Sequence, residues 1–313
     1  MKEYTLEGEG DEKILLLSIK GTISSAERKG FWGERPSMLQ ELVSQLRLAQ
    51  DDPDIRAVVL KVDSPGGTVT ASDIIYNELM LFRDKRAKEG EEVKIVACFM
   101  TLAASGAYYV SLPADKIFAH PTSIVGSVGA IISLPKLHRL MDKLGLEIEV
   151  TKSGSNKDMG SLFRESSKEE ERAIKSMIDA MAERFLELTK KHRKLEVAQI
   201  AEVAKAGVYL APTAKELGLV DEIGYLPDAI AAAKQLAAIP KDARVVTYRR
   251  GEFSDDNIYN SMIDTAMPTP SLGLVSDITP LLEGLRDYLS YRATEGFLYL
   301  WEPGLTTVDT PAY

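Results

Sequence analysis

A serine set between alanine and glycine, Ala104-Ser105-Gly106, stands where an apolar run from Val93 to Phe99 has given way to small residues. Small neighbours let a chain turn sharply from strand into helix, and a serine at that turn sits at a helix N-terminus. Two roles fit it there, an N-cap or a nucleophile. Upstream, Asp63-Ser64-Pro65-Gly66-Gly67-Thr68 follows a second apolar run, Ala57 to Val62. Pro-Gly-Gly between strand and helix is ordinary turn chemistry. It also lets backbone N–H groups approach a ligand oxygen closely, beside a helix N-terminus whose dipole favours negative charge. A hydroxyl nucleophile next to such amides could perform acyl transfer, the amides holding the oxyanion.

A serine hydroxyl is a poor nucleophile until a neighbouring base takes its proton. The three histidines, His120, His138 and His192, are scattered, with no HExxH and no Cys/His cluster, so neither a metal nor another cofactor is expected. Lysine is the other candidate base. It serves only when uncharged, which requires burial to pull its ordinary value of about 10.4 down by several units. Lys152 and Lys157 lie in a polar loop, Lys152 to Asp158, where solvated lysines are the ordinary expectation.

The elements that must position these residues follow from the apolar pattern. Ile14 to Ile19, Ala57 to Val62 and Val93 to Phe99 are continuous apolar runs, as in strands buried on both faces of a parallel sheet. Ser37 and Gln40 form a capping box for a helix carrying Leu39, Leu42, Val43 and Leu46, and a second helix spans about Ala71 to Arg86. The β-α-β order predicts right-handed parallel units. Strand, Gly-rich turn and helix occur twice, and both turns fall at carboxyl ends of strands, where sites form in open α/β sheets. Further on, the pattern predicts a short helix to Leu112 and strands at Lys116–Ala119 and Glu147–Thr151. Helices are predicted from Ser167 to Arg193, over Ala201–Ala206 and Thr213–Leu217, and over Ala229–Ala237.

Composition bounds the rest. The 313 residues are 45% hydrophobic, enough for one large domain with an appendage. A net charge of −9 argues against nucleic acid as the main partner. A single cysteine, Cys98, permits no intramolecular disulfide. Met1 to Lys13 is too polar for a secretory signal and Ile14 to Ile19 too short to span a bilayer. Beyond Ser254, prolines and acidic residues predict a loosely packed extension to about Ser276. Near the end, Gly296 to Trp301 is an aromatic patch that reads either as a packing strand or as a peptide docked in a groove.

Several motifs stand in order: Ser64-Pro65-Gly66-Gly67, Ala103-Ala104-Ser105-Gly106-Ala107-Tyr108-Tyr109, Ala114 to Ala119, Gly126-Ser127-Val128-Gly129, and Lys152-Ser153-Gly154 with Lys157-Asp158. With them the chain resembles the signal peptide peptidase A family, over about Ile14 to Val246. The resemblance implies an α/β, Clp/crotonase-like fold of repeated β-β-α units with a mainly parallel sheet and flanking helices. It divides the chain into a protease domain, 1–250, and a C-terminal extension, 251–313, with the aromatic segment at 296–301. It also implies a serine endopeptidase with Ser105 as nucleophile, Lys157 as general base and Ser127 orienting the lysine. The amides of Gly67 and Gly106 would be the oxyanion hole. Implied substrates are residual signal peptides and other hydrophobic peptides, with small or aliphatic residues preceding the cut. The single copy of each motif implies that Ser105 of one subunit meets Lys157 of its neighbour in a ring-like, dome-shaped homo-octamer. The implied location is the cytoplasmic membrane through an anchor not seen in this chain, or the cytoplasm if Met1 is the natural start. The chain departs from the family pattern at Asp63, at His120 and before Gly207. Two other readings remain open on such a fold, a crotonase-like acyl-CoA enzyme and a Ser-His-Asp triad protease, for which His120 is the available histidine.

Overall fold

The structure, a computed structural model, describes residues 1–26, 28–30, 33–250, 258 and 297–300. In chain order its elements are β1 (Lys2–Glu7), β2 (Lys13–Lys20), β3 (Arg28–Gly30), β4 (Gly33–Arg35), α1 (Met38–Gln50), β5 (Ile55–Ser64), β6 (Gly66–Thr68), α2 (Val69–Lys88), β7 (Lys94–Ala104) and α3 (Gly106–Ser111). There follow β8 (Lys116–Ala119), β9 (Ile124–Gly126), α4 (His138–Leu144), α5 (Lys168–Arg193), α6 (Val197–Val203), β10 (Val208–Leu210), α7 (Ala211–Glu216), β11 (Glu222–Ile223), α8 (Leu226–Leu236), β12 (Arg244–Arg249) and β13 (Leu298–Leu300).

The three apolar runs become β2, β5 and β7, parallel neighbours in a sheet ordered β1-β12-β2-β5-β7-β8-β11. Leu15, Leu17 and Ile19 of β2 face a core shared with α1, α2 and α3, whereas Ile14 and Leu16 face a second core under α8. A sheet covered on both faces needs apolar side chains on both, which is why the runs do not alternate. The fold is therefore α/β, a mainly parallel sheet between helical layers. Cys98 lies on the α8 side, where burial pushes its thiol up to about 12.

The expected capping box of Ser37 with Gln40 forms, and Ser167 caps α5 in the same way with Glu170. The crossover helix α2 is tied down by Arg86, whose guanidinium is 1% exposed. It donates to the carbonyls of Asp52 at 2.7 Å and Ile55 at 2.9 Å, and pairs with Glu91 at 2.8 Å. A charge can be buried when most of its protons are engaged in this way; here the terminal nitrogens are, and Nε is left without a partner.

β7 outruns its apolar stretch. Val96–Phe99 pair with β8, and Leu102–Ala104 pair in parallel with β9. Ala104 stands opposite Gly126, so the residues that follow them, Ser105 and Ser127, leave the sheet side by side at a strand spacing of about 4.8 Å.

The expected strand at Glu147–Thr151 does not form. Its residues are exposed, Ile148 at 49% and Val150 at 51%, and no strand pairs with them among the described residues. Apolar alternation without a partner does not make a sheet. The helix expected at Ala201–Ala206 starts earlier, at Val197, because Glu196 and Gln199 cap it. The helix expected at Thr213 starts at Ala211 with a proline in its first turn. The expected loose stretch from Ser254 lies outside the described residues except for Ile258. That residue is buried against the α8 core, its carbonyl accepting from Lys61 Nζ at 3.1 Å. No helix among the described residues is long and apolar enough to cross a membrane.

Candidate active site

Ser105 leaves β7 with φ 55° and ψ −120°, a conformation that costs a non-glycine residue of order 1–3 kcal/mol. Two backbone bonds hold it there. Its N–H donates to the Gly126 carbonyl at 2.8 Å, and its carbonyl accepts from the Tyr109 N–H at 2.9 Å. Although Ser105 stands at the N-cap position of α3, its side chain makes no capping bond. Its Oγ is buried with no hydrogen-bond partner at all. A buried polar atom left unpaired costs about 1–3 kcal/mol, so the hydroxyl is not kept there for stability. Ser127 repeats the backbone geometry, with φ 55°, its N–H donating to the Gly207 carbonyl at 2.7 Å.

The glycine turn comes up against this serine. Gly66 has φ +100°, and a Cβ placed on it would stand 2.7 Å from the Gly106 nitrogen. A Cβ on Gly106 would stand 3.1 Å from the Gly67 nitrogen. The nitrogens of Gly67 and Gly106 thus lie on neighbouring segments, and Gly66 is needed for their approach.

The groove in front of these amides is filled by β13. It runs antiparallel to β6, with Tyr299 opposite Gly67 and Leu298 opposite Thr68. On its other edge, Leu298 exchanges two backbone bonds with Ile131, both at 3.0 Å. The Val69 N–H donates to the Phe297 carbonyl at 3.2 Å. Bonds alternate along an antiparallel ladder, so Tyr299 and Gly67 form the next bonded pair and the Tyr299 carbonyl faces the Gly67 N–H. The Tyr299 oxygen also lies 2.1 Å from a Cβ position on Gly66 and 3.0 Å from one on Gly106. A peptide carbonyl therefore lies over the glycine turn, close to Gly66 and Gly106 and facing the Gly67 N–H. Of the aromatic patch expected at 296–301, residues 297–300 are described, and they pair with β6 on one edge and Ile131 on the other.

The Tyr299 side chain is fully buried. Its ring stacks on Tyr109 at 5.1 Å and tilts against Phe185 of α5 at 4.9 Å, and its hydroxyl donates to the Met181 carbonyl at 2.7 Å. The seat beside the glycine turn thus holds a large aromatic ring. Sequence reasoning passed over this pocket, along with Ile131. The pair Tyr108-Tyr109 hinted at it, but Tyr108 turns away to donate to the Leu219 carbonyl at 2.9 Å.

The lysines stand apart from the serine. Ser105 Oγ bonds neither Lys157 nor any other group. Lys157 is exposed, in a turn closed by its N–H donating to the Gly154 carbonyl at 3.1 Å. Lys152 is tied up, its ammonium 2.7 Å from Asp158 Oδ1. The segment around Lys157 is pinned to the start of α5 by Arg164, which bonds Asp158 Oδ2 at 2.9 Å and Glu170 Oε2 at 2.8 Å. Hydrogen bonds from Arg164, then from Lys152, hold the Asp158 carboxyl well below the usual carboxylate range. The His120 ring is tilted against Tyr225 at 5.1 Å, and its buried Nε2 has no hydrogen-bond partner among the described residues. Burial lowers its imidazole although the charge of Asp63 opposes this.

A strained serine at a strand-to-helix turn, converging glycine amides and an extended peptide laid across both can together perform acyl transfer on a peptide carbonyl. Comparison with known proteins agrees with that class. The model of peptidase family S49 matches residues 87–240. A putative signal peptide peptidase SppA from Enterococcus faecium is 34% identical over 248 residues, 79% of this chain and 70% of that protein. Protease 4 of Haemophilus influenzae is 32% identical over 83% of this chain, which spans 40% of that protein. Among solved structures, a ClpP1 variant from Listeria monocytogenes superposes with a TM-score of 0.43 and 18% identity, over 69% of this chain and 94% of that one. The chain belongs to peptidase family S49 and is a serine peptidase of the SppA type.

Proposed function

We propose that the chain is a serine endopeptidase with a Ser/Lys dyad, cutting hydrophobic peptides bound as an extended strand between β6 and Ile131. The observation that carries this reading is β13, a peptide strand in that groove with its Tyr299 carbonyl over the glycine turn, facing Gly67 and close to Gly106. In the reaction, Ser105 Oγ attacks the carbonyl carbon seated there while its proton passes to the uncharged amine of Lys157. The two amides stabilise the oxyanion, and Ser127 orients the lysine. Collapse expels the amine of the next residue, which takes the proton from Lys157. Water, activated by the same lysine, then frees the acyl group from Ser105.

Lys157 of one copy serves Ser105 of another. Within one chain the serine hydroxyl is unpartnered and the lysine exposed, and Leu146 (55%), Val150 (51%) and Phe163 (43%) are exposed in the sequence on either side of that lysine. A second copy that covers such apolar surface would bury the lysine as well, which is what a neutral amine requires. A closed ring of copies repeats this contact without leaving an open end. Residual signal peptides, extended and apolar, fit the groove, and the cytoplasmic membrane is where such peptides would be met.

Cleavage of a hydrophobic fluorogenic peptide, with labelling by a serine-directed phosphonate, tests the reading. Ser105→Ala should lose labelling, and both Ser105→Ala and Lys157→Ala should lose cleavage by about a thousandfold or more, whereas Lys152→Ala retains most of it. Labelling that survives Ser105→Ala, or full activity in Lys157→Ala, would remove the dyad, and an acyl-CoA enzyme would give no Ser105 adduct.

A further inference from the structure

The wall of the Tyr299 pocket is held together at one oxygen. Asp73, in the second turn of α2, accepts through Oδ1 from the Tyr109 hydroxyl at 2.5 Å. The same oxygen accepts from Arg184 on α5, at 2.7 Å from one terminal nitrogen and 3.2 Å from Nε. Three elements are thereby joined around the buried ring. They are α2, which follows the glycine turn; α3, which follows Ser105; and α5, which carries Phe185 and Met181. Tyr109 is fully buried, so its hydroxyl needs this acceptor. The ion pair itself is open to solvent, with side-chain exposures of 38% for Asp73 and 56% for Arg184. Exposed pairs of this kind add little to stability. Their effect here is geometric, holding the edge-to-face contact of Tyr109 and Phe185, 4.9 Å between ring centroids, as the wall on which the Tyr299 ring packs.

Resting on the peptidase reading above, in which Tyr299 occupies the seat of the residue before the cut, we infer that Asp73 is a positioning residue for substrate selection. By clamping Tyr109 and α5 it makes the pocket favour a tyrosine over an aliphatic side chain at that position. The Met181 carbonyl, which accepts the ring hydroxyl, adds to the preference. A loosened wall would let Tyr109 and Phe185 shift apart, and an aromatic occupant that packs against both rings has most to lose. A hydrophobic pocket discriminates by about 10–200-fold on small differences of fit.

The test is a competition in one tube between two decapeptides containing Phe-Leu-Tyr-Leu, the sequence of 297–300, and Phe-Leu-Leu-Leu. Product ratios by mass spectrometry give the ratio of the two kcat/KM values. That ratio is independent of how many sites the chain's own β13 occupies, because both peptides compete for the same free sites. The intact chain should prefer the tyrosine peptide, and Asp73→Asn and Tyr109→Phe should each reduce the preference about tenfold or more. A purely structural role for Asp73 would slow both peptides in step. An unchanged ratio in both variants therefore overturns the assignment while leaving the peptidase reading intact. Failure of the intact chain to cut either peptide would overturn that reading and this assignment with it.

Discussion

Glycine at 106 is where the account can be tested with one methyl group. A Cβ there would meet Ser72 Oγ at 2.5 Å, and that hydroxyl can swing away from the Thr68 carbonyl it now bonds at 2.9 Å. The remaining neighbours, the Tyr299 oxygen and the Gly67 nitrogen, stand at 3.0 and 3.1 Å. Gly106→Ala should therefore fold, with a melting temperature within a few degrees of the parent. The methyl intrudes where the oxyanion would sit, so kcat/KM should fall about a hundredfold or more. Full activity in this variant would move the oxyanion site elsewhere. Gly67→Ala is a different case, because its Cβ would fall 1.9 Å from the Ile23 carbonyl oxygen, a backbone atom that cannot step aside. Ser105 and the glycine turn were legible in the sequence because their signal is local, small residues spaced around the end of a strand. The tyrosine pocket was not. Nothing in the order of residues distinguishes Tyr108, which reaches Leu219, from Tyr109, which lines the pocket with Phe185 and Tyr299 from far along the chain.

Among the elements, β2, β5 and β7 were legible for a physical reason, since a strand covered on both faces has no polar side to blur the pattern. The edge strand β1 and its neighbour β12 lack that signature, and the meeting of β6 with β13 depends on residues more than two hundred positions apart, which no local pattern encodes. β13 also makes a prediction. It fills the groove in a substrate's place, so a chain ending at residue 296 should cut short peptides faster, of the order of tenfold, given the burial of one aromatic side chain. Unchanged rates on deletion would make β13 a packing strand and nothing more. The segment bearing Lys157 makes another. Burial alone would raise the Glu170 carboxyl, but hydrogen bonds from Arg164, Gly160 and Ser167 outweigh it and hold it below its usual value, and Asp158 is lowered by Arg164 and Lys152. Carboxyls lowered by folding stabilise the folded form above their unfolded values near 4, and that contribution is lost only as pH falls through the lowered ones. Amide exchange across 155–165 should therefore report unchanged protection from pH 9 to about pH 5. Loss of hydrolysis on acidification within that window then reflects protonation of the base, and Arg164→Ala should abolish the protection at every pH. Protection that decays between pH 7 and 5 in the parent chain would contradict this.

At the scale of the whole molecule the central claim is that one copy completes another. A serine with no partner and an exposed lysine in the same chain form no dyad by themselves, and symmetric closure is the ordinary way for identical chains to supply each other's missing groups. Ser105→Ala and Lys157→Ala, each inactive alone, can be co-expressed and their co-assembly verified by sedimentation. Random mixing leaves an intact serine facing an intact lysine at about a quarter of the contacts, so the mixture should recover about a quarter of the parent activity. Co-assembled rings that stay inactive would contradict the account.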